Sequence, residues 1–253
     1  MRLYSGSMPR SRPAPDATPA RRRVCATADG SRTLLSPAYG ESYHSRHGAL
    51  TEARHVFLEG SGVAARLAAG EATEMLEVGF GTGLNALLTI DAAARTGARL
   101  RYVALERDLP PAETLAALGH RELLEDPGLA DALIAWRRGL PEPPASASLR
   151  LGSARLELLV GDARRARLPA GVHAIYHDAF SPTTNSELWD EAFLTRLFRA
   201  LAPGGRLATY TVQGALRRRL AAIGFAVAKV PGPPGGKREA LVARRPAPAG
   251  AAP

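Results

Sequence analysis

From residue 73 onward, the apolar and polar positions of the chain switch repeatedly between two periods. Short apolar runs of strand length alternate with stretches whose leucines recur every three or four residues, the spacing of one helix face. Thr73–Phe80 is an apolar run ending in glycines, and Gly83–Ala94 sets Leu84, Leu87, Leu88 and Ala92 on one helical face. Leu100–Glu106 reads as a second strand, and residues 111–137 as helix broken at Pro127-Gly128. Pro141–Ser148 reads as a loop, Arg155–Val160 as a third strand and Val172–His177 as a fourth. Glu187–Leu201 is expected to be a helix closed by Pro203-Gly204-Gly205, Arg206–Val212 a fifth strand, and Ala215–Ile223 a helix stopped at Gly224. Phe225–Val230 and Glu239–Arg244 complete the series, joined by a Gly/Pro turn. The alternation predicts an α/β fold with a doubly wound, mostly parallel, seven-stranded sheet. The last two strands, with no helix between them, predict an antiparallel C-terminal hairpin.

Upstream of this pattern the reading changes. Residues 36–60 hold Tyr39, Tyr43, three histidines and a helix-like stretch from Leu50, and are expected beside the sheet or over its ligand edge. Residues 1–35, with Pro13, Pro15, Pro19 and Arg21-Arg22-Arg23, read as a flexible basic leader. The folded domain is expected over 36–245, and 246–253 as a disordered tail.

Composition narrows the class. A chain of 253 residues suits one domain of doubly wound size, and 45% hydrophobic with 23% charged residues is ordinary for a soluble globular protein. No apolar run approaches the roughly 18 residues that cross a bilayer, and the N-terminus lacks the apolar stretch of a secretory signal, so a cytoplasmic protein without membrane contact is expected. Cys25 is the one cysteine, which excludes an internal disulfide and a cysteine cluster. The histidines His44, His47, His55, His120, His173 and His177 show no metal spacing, so no metal is expected. The net charge is +9 and nearly all of the positive charge is arginine, which favours a polyanion such as nucleic acid.

The sharpest chemical signal is Glu77-Val-Gly79-Phe-Gly81-Thr-Gly83, where a strand hands over to a helix. Glycines let the backbone turn tightly and leave room for a ligand at the strand's carboxyl edge. The spacing is tighter than the dinucleotide fingerprint, and the acid ahead of it suits a ligand with an ammonium group rather than a pyrophosphate. Glu106 ends the second strand at close to the offset at which an acidic side chain holds ribose hydroxyls. Asp162 ends the third strand and is placed to accept from an adenine amino group, or to cap a turn. Asp178 ends the fourth strand, beside the topological switch point, where a carboxylate faces both cofactor and substrate.

Several further segments carry a resemblance to a known family. Tyr43-His-Ser-Arg-His-Gly48 running on through Glu52 to Leu58, Gly79-Phe-Gly-Thr-Gly-Leu-Asn85, and Asp178-Ala-Phe-Ser-Pro182 followed by Asn185 and Trp189 resemble three of its motifs. Leu201-Ala-Pro-Gly-Gly205, Leu207-Ala-Thr209, Arg217-Arg218 and Gly236-Lys237-Arg238-Glu239 resemble its C-terminal half. The family is the tRNA 5-(aminomethyl)(-2-thio)uridine wobble methyltransferases of the MnmD type, similar to the methyltransferase half of bifunctional MnmC. The resemblance implies a class I methyltransferase fold of Rossmann-like type, S-adenosylmethionine as cofactor, and methyl transfer to the exocyclic amine of the wobble nucleoside. It implies tRNA, through its anticodon region, as the partner, a separate enzyme supplying the aminomethyl precursor, and no oxidase domain within these residues.

Asp178 is then the expected catalytic residue. The expected cofactor residues are Glu77, Gly79, Phe80, Gly81, Thr82, Gly83, Asn85, Glu106, Asp162 and Asp178, with Tyr43 and Glu52. Phe180, Pro182, Trp189, Lys237 and Arg238 are expected at the substrate, and Arg217, Arg218 and Arg219 at phosphates. Two other readings stay open: a methyl- or aminopropyltransferase on the same fold acting on another amine, and a non-catalytic RNA-binding relative.

Overall fold

A computed structural model describes residues 22–247. One eight-stranded sheet organises the chain, in the order β5-β6-β4-β3-β7-β8-β10-β9. Its strands are β3 (Thr73–Val78), β4 (Leu100–Glu106), β5 (Ala147–Leu151), β6 (Ala154–Val160), β7 (Val172–His177), β8 (Leu201–Thr209), β9 (Ala226–Pro231) and β10 (Glu239–Arg244). The five central strands β6, β4, β3, β7 and β8 pair in parallel, and β10 and β9 add an antiparallel hairpin. The seven expected strands are all present. The eighth, β5, falls partly in the expected loop 141–148 and pairs antiparallel with β6 through a turn at Gly152, whose φ is +57°. As an edge strand it buries little, so its residues carry a weak hydrophobic signature.

The central strands bury both faces. Met75, Tyr102, Ala104, Ala174 and Tyr176 pack toward α3 (Leu84–Thr96) and its neighbours, while Leu76, Val78, Val103, Leu105 and Ile175 pack toward α6 (Glu191–Ala200) and α7 (Gly214–Ile223). Near-continuous apolar runs are what a doubly covered parallel sheet requires. The expected helix 187–201 is shorter than its pattern. Ser186–Leu188 is a single 3-10 turn, and α6 starts after Asp190, whose carboxylate accepts from the Phe193 amide at 2.7 Å. Leu201 already belongs to β8, which starts earlier than expected and bulges between Val172 and Ala174 of its neighbour.

The largest departure lies at the N-terminus. Residues 23–35, expected within a flexible leader, form a hairpin of β1 (Arg23–Ala26) and β2 (Arg32–Leu35). Leu34 is fully buried against Leu115 and Leu118, with Val24 and Tyr43 beside it. Asp29 in the turn accepts from Ser31 and Thr27 and, across the chain, from the amide and hydroxyl of Thr51. An Asp-Gly turn between two short apolar runs is a hairpin signal that the surrounding arginines and prolines obscure. The rest of the expected leader and most of the expected tail lie outside the described residues.

After the hairpin, α1 (Ala49–Glu52) runs into a π-helical stretch, Ala53–Glu59, which buries Val56 and Phe57 over the sheet, and α2 (Val63–Ala68) leads into β3. Between β4 and β5 lie α4 (Ala112–Ala116) and α5 (Gly128–Arg138). Among the described residues no helix is long and apolar enough to cross a membrane.

Candidate active site

The chain leaves β3 for β4 and β6 on one side, then crosses to β7 on the other, so the carboxyl ends of β3 and β7 flank the point where strand order reverses. A cleft of about 530 Å³ opens there. The strand ends supply Gly79, Phe80, Gly81, Glu106, Asp162 and Asp178 to its walls. The segment after the hairpin supplies Tyr39, Glu41, Tyr43 and Glu52, and the 178–188 loop supplies Phe180, Ser181 and Asn185. Tyr210 and Lys237 close the remaining side, the Lys237 ammonium lying 4.5 Å from the centre of the Tyr210 ring.

Two glycines are required by what lies against them. A Cβ on Gly79 would stand 2.6 Å from the Asp178 carbonyl oxygen, and one on Gly81 2.9 Å from the Tyr43 ring; both residues have positive φ. Any side chain at either position would separate β3 from β7 or push the cap away from the sheet. Gly83 shares the positive φ, and its Cβ would meet the side chains of Phe80 and Leu133.

Two acids line the inner end of the cleft and a third lies behind them. Asp178 accepts from Asn85 Nδ2 at 2.9 Å through Oδ2, and its carboxyl is raised well above the usual range by burial, then by the neighbouring charges of Glu52 and Glu77. Glu52, 6% exposed, accepts from the Ser45 amide at 2.9 Å and is also raised by burial. Glu77 is fully buried and pushed up to about 8 by burial, with Oε1 accepting from Asn85 Nδ2 at 2.9 Å and Oε2 without a partner among the described residues. Burial likewise raises Glu106, although Gly81, Arg107 and Asp108 all donate backbone amides to it.

Acids of the outer rim behave in the opposite way. Glu41 accepts from the Ser181 amide at 3.0 Å and from the hydroxyls of Ser181 and Thr184, and these bonds outweigh burial to lower its carboxyl. Asp162 is held at about 2, chiefly by the side chain of Arg164, which engages both carboxylate oxygens.

An aromatic wall faces the acids. Tyr39 stacks on Phe180 with ring centres 4.3 Å apart, and Tyr43 meets the same ring edge-on at 5.1 Å. The structure therefore brings Tyr43, Glu52, Gly79, Phe80, Gly81, Glu106, Asp162, Asp178, Phe180 and Lys237 to one cleft, as the sequence reading expected.

Other expected site residues stand elsewhere. Glu77 and Asn85 do not line the cleft but lie behind Asp178. Thr82 is fully buried, with its hydroxyl 3.3 Å from His120 Nε2, and Gly83 lies inside the helix start. Trp189 is 1% exposed and stacked on His177 at 4.1 Å, and its Nε1 donates to the Phe180 carbonyl at 2.8 Å. A ring of that size gains most by full burial, so it supports the loop from below rather than flanking a ligand. Pro182 and Arg238 are absent from the lining; Ser181 and Lys237 take their places. Of the three consecutive arginines on α7, Arg217 and Arg218 line a shallow groove, whereas Arg219 donates to the Trp189 carbonyl.

Glu41 was not singled out from the sequence. Its role depends on Ser181 and Thr184, about 140 residues away, and no local spacing signals it.

The residues fit S-adenosylmethionine. Two carboxylates, Glu52 and Asp178, sit against the cleft with no ion-pairing side chain bonded to either among the described residues, a donor set suited to a ligand carrying positive charge. Glu106, tied to the glycine loop through Gly81, would hold the ribose, with the backbone of Gly79–Gly81 beneath it.

Comparison with known proteins agrees with this geometry. A family model described as S-adenosyl-L-methionine-dependent methyltransferase matches residues 135–246, which carry Asp162, Asp178 and Lys237. The tRNA 5-methylaminomethyl-2-thiouridine biosynthesis bifunctional protein MnmC of Aromatoleum aromaticum is 42% identical over 240 residues, covering 91% of this chain and 37% of that protein. Its counterpart in a Pseudomonas aeruginosa strain is 40% identical, covering 82% of this chain and 33% of that protein. The chain thus spans about a third of the length of these relatives. The crystal structure of MnmC2 from Aquifex aeolicus superposes with a TM-score of 0.73 at 26% identity, covering 92% of this chain and 73% of that one. A matching family model, relatives near 40% identity and a shared fold around an acidic cleft place the chain in the S-adenosyl-L-methionine-dependent methyltransferase family.

Proposed function

We propose that the chain transfers a methyl group to the exocyclic amine of 5-aminomethyl-(2-thio)uridine at the wobble position of tRNA, giving the 5-methylaminomethyl form. The carrying observation is the pair of cleft-lining carboxylates, Glu52 and Asp178, both raised by burial and opposite an aromatic wall. The biosynthetic role that gives the MnmC relatives their name supports the nucleoside assignment.

S-adenosylmethionine supplies, when bound, an electrophilic methyl on a positively charged sulfur. Glu106 is assigned to its ribose, Asp162 to the adenine end, and Glu52 with the Gly79–Gly81 backbone to its remaining length. The protein's task is then alignment and proton removal. An alkyl ammonium has a pKa of about 10, judged from lysine, and must lose a proton before its lone pair can attack. Asp178 Oδ1 carries no hydrogen bond among the described residues, and it is the atom assigned to take that proton. Because burial raises this carboxyl toward the amine, the transfer is less uphill than to an ordinary aspartate. Phe180, with Tyr39 and Tyr43, is assigned to the splayed-out base. Arg217, Arg218, Lys237 and Arg238 are assigned to phosphates, and the aminomethyl precursor comes from a separate enzyme.

Incubation of the protein with undermodified tRNA and isotope-labelled cofactor, followed by mass spectrometry of the wobble nucleosides, tests the proposal. A gain of one labelled methyl on the 5-aminomethyl group is expected. An aminopropyl gain, methylation elsewhere or no product would overturn it. Binding to the tRNA is expected to weaken steeply with salt, from counterion release.

A further inference from the structure

Asn85 is the second residue of α3, 4% exposed, and lies on none of the cleft's walls. Its single amide nitrogen donates to two carboxylates on neighbouring strands, Glu77 Oε1 of β3 and Asp178 Oδ2 beyond β7, each at 2.9 Å. Both amide hydrogens are thereby used, while Oδ1 is buried without a partner among the described residues. An orphaned buried acceptor costs roughly 1–3 kcal/mol, so this site favours the donor end of the amide at the expense of the acceptor end. The nitrogen faces both acids, and a carboxyl oxygen accepts from it whether or not that acid carries its proton.

We propose that Asn85 is a positioning residue, which holds Asp178 in one rotamer with Oδ1 toward the cleft and keeps its carboxylate available as a proton acceptor. This rests on the assignment of Asp178 as the base. The groups facing Asp178 divide cleanly. Glu52 from α1 and Glu77 from β3 favour its protonated form, as does burial, and Lys237 from the β9–β10 turn opposes them. The phenols of Tyr102 on β4 and Tyr210 after β8 complete the surroundings. Asn85 is the neutral group of this set that both opposes protonation and fixes direction, because a donor to the ionised form lowers a carboxyl whereas a distant cation does not orient it. Glu77 anchors the amide from behind and needs no cofactor contact for that role.

The first test uses the unmutated protein. The side-chain amide signals of Asn85 in a nitrogen-correlated NMR spectrum are expected to move with the Asp178 titration and to stop doing so in Asp178→Asn. Signals that ignore that titration would overturn the proposal. The second test replaces Asn85 with leucine, of similar size and without a donor, or with aspartate, of the same shape, should the leucine variant fold poorly. The Asp178 carboxyl, followed by carbon NMR, is expected to titrate higher by about half a pH unit or more. Turnover at pH 7 is expected to fall at least about tenfold and to recover as pH rises, with KM and cofactor affinity within about threefold, because the interaction acts on the reacting step. An unmoved titration and pH profile, or a loss confined to cofactor affinity, would show that Asn85 is structural or a cofactor ligand instead. If the unmutated protein fails to methylate the tRNA, the substrate assignment falls, while the two titrations still decide the role of Asn85.

Discussion

The inner and outer ends of one cleft hold acids of the same chemistry in opposite states. At the inner end and just behind it, Glu52, Glu77 and Asp178 are buried with one donor each among the described residues, and all three carboxyls are raised. At the rim, Glu41 has three donors from the 181–184 loop and Asp162 has the Arg164 guanidinium, and both are lowered. The difference lies in the supply of hydrogen-bond donors relative to lost water. It separates acids whose protonated form is favoured from acids held as anions, so one cleft can combine proton transfer with fixed negative charge.

The largest test of this contrast is Asp178→Ala. Turnover is expected to fall about 10²- to 10⁴-fold, the usual contribution of a positioned base, while calorimetry finds cofactor affinity within a few-fold. The acid limb of the unmutated enzyme's kcat profile should lie above the ordinary carboxylate range, since activity needs Asp178 ionised and is lost as pH falls through its raised pKa. Loss of cofactor binding with unaltered turnover at saturation would reverse the assignment.

Next comes Gly81→Ala, which forces a Cβ against the Tyr43 ring at a backbone φ of +53°. Cofactor affinity is expected to drop about tenfold, with strain of roughly 1–2 kcal/mol from that φ. Full affinity would mean that the cap moves freely against the sheet.

Glu77→Gln sharpens the distinction between charge and position. Below about 8 the buried Glu77 is protonated, so the folded state holds a proton that the unfolded state releases above the ordinary glutamate pKa. Stability should therefore decline as pH rises from about 4.5 to about 8, and the substitution should remove that decline. Thermal melts of both proteins across this window check it. A steeper decline in the variant would contradict the buried-acid reading.

The smallest effect is expected at the rim. Asp162→Asn should lower cofactor affinity by less than about tenfold, as for one charge-assisted hydrogen bond, and leave the pH profile unchanged, because this acid is ionised at every working pH. A shifted profile would place Asp162 among the proton-exchanging groups.

Much of this site was legible residue by residue. The strand-end acids Glu106, Asp162 and Asp178 fell on the cleft because periodicity locates strand ends, and a parallel sheet gathers those ends on one edge. Glu77 was placed at the cofactor as the acid ahead of the glycine loop and Asn85 by motif resemblance, yet the strand's alternation turns Glu77 into the packed layer and Asn85 follows it there. Trp189 sits in an aromatic motif that local spacing cannot sort into wall or support, and its stacking on His177 puts it below the loop. The hairpin at 23–35 was hidden because Leu34 gains its burial from Leu115 and Leu118, some 80 residues onward.

What the sequence determined by itself was the order of strands and helices, the glycine turn and the acids that end the strands. These follow from local periodicity and backbone sterics, which act over a few residues. Only the tertiary structure decided which acids hold protons, which side chains reach the cleft, and that Glu41 and Tyr43 close it. Those properties depend on the loss of water and on hydrogen-bond partners brought from distant parts of the chain, and neither is written in the neighbouring residues.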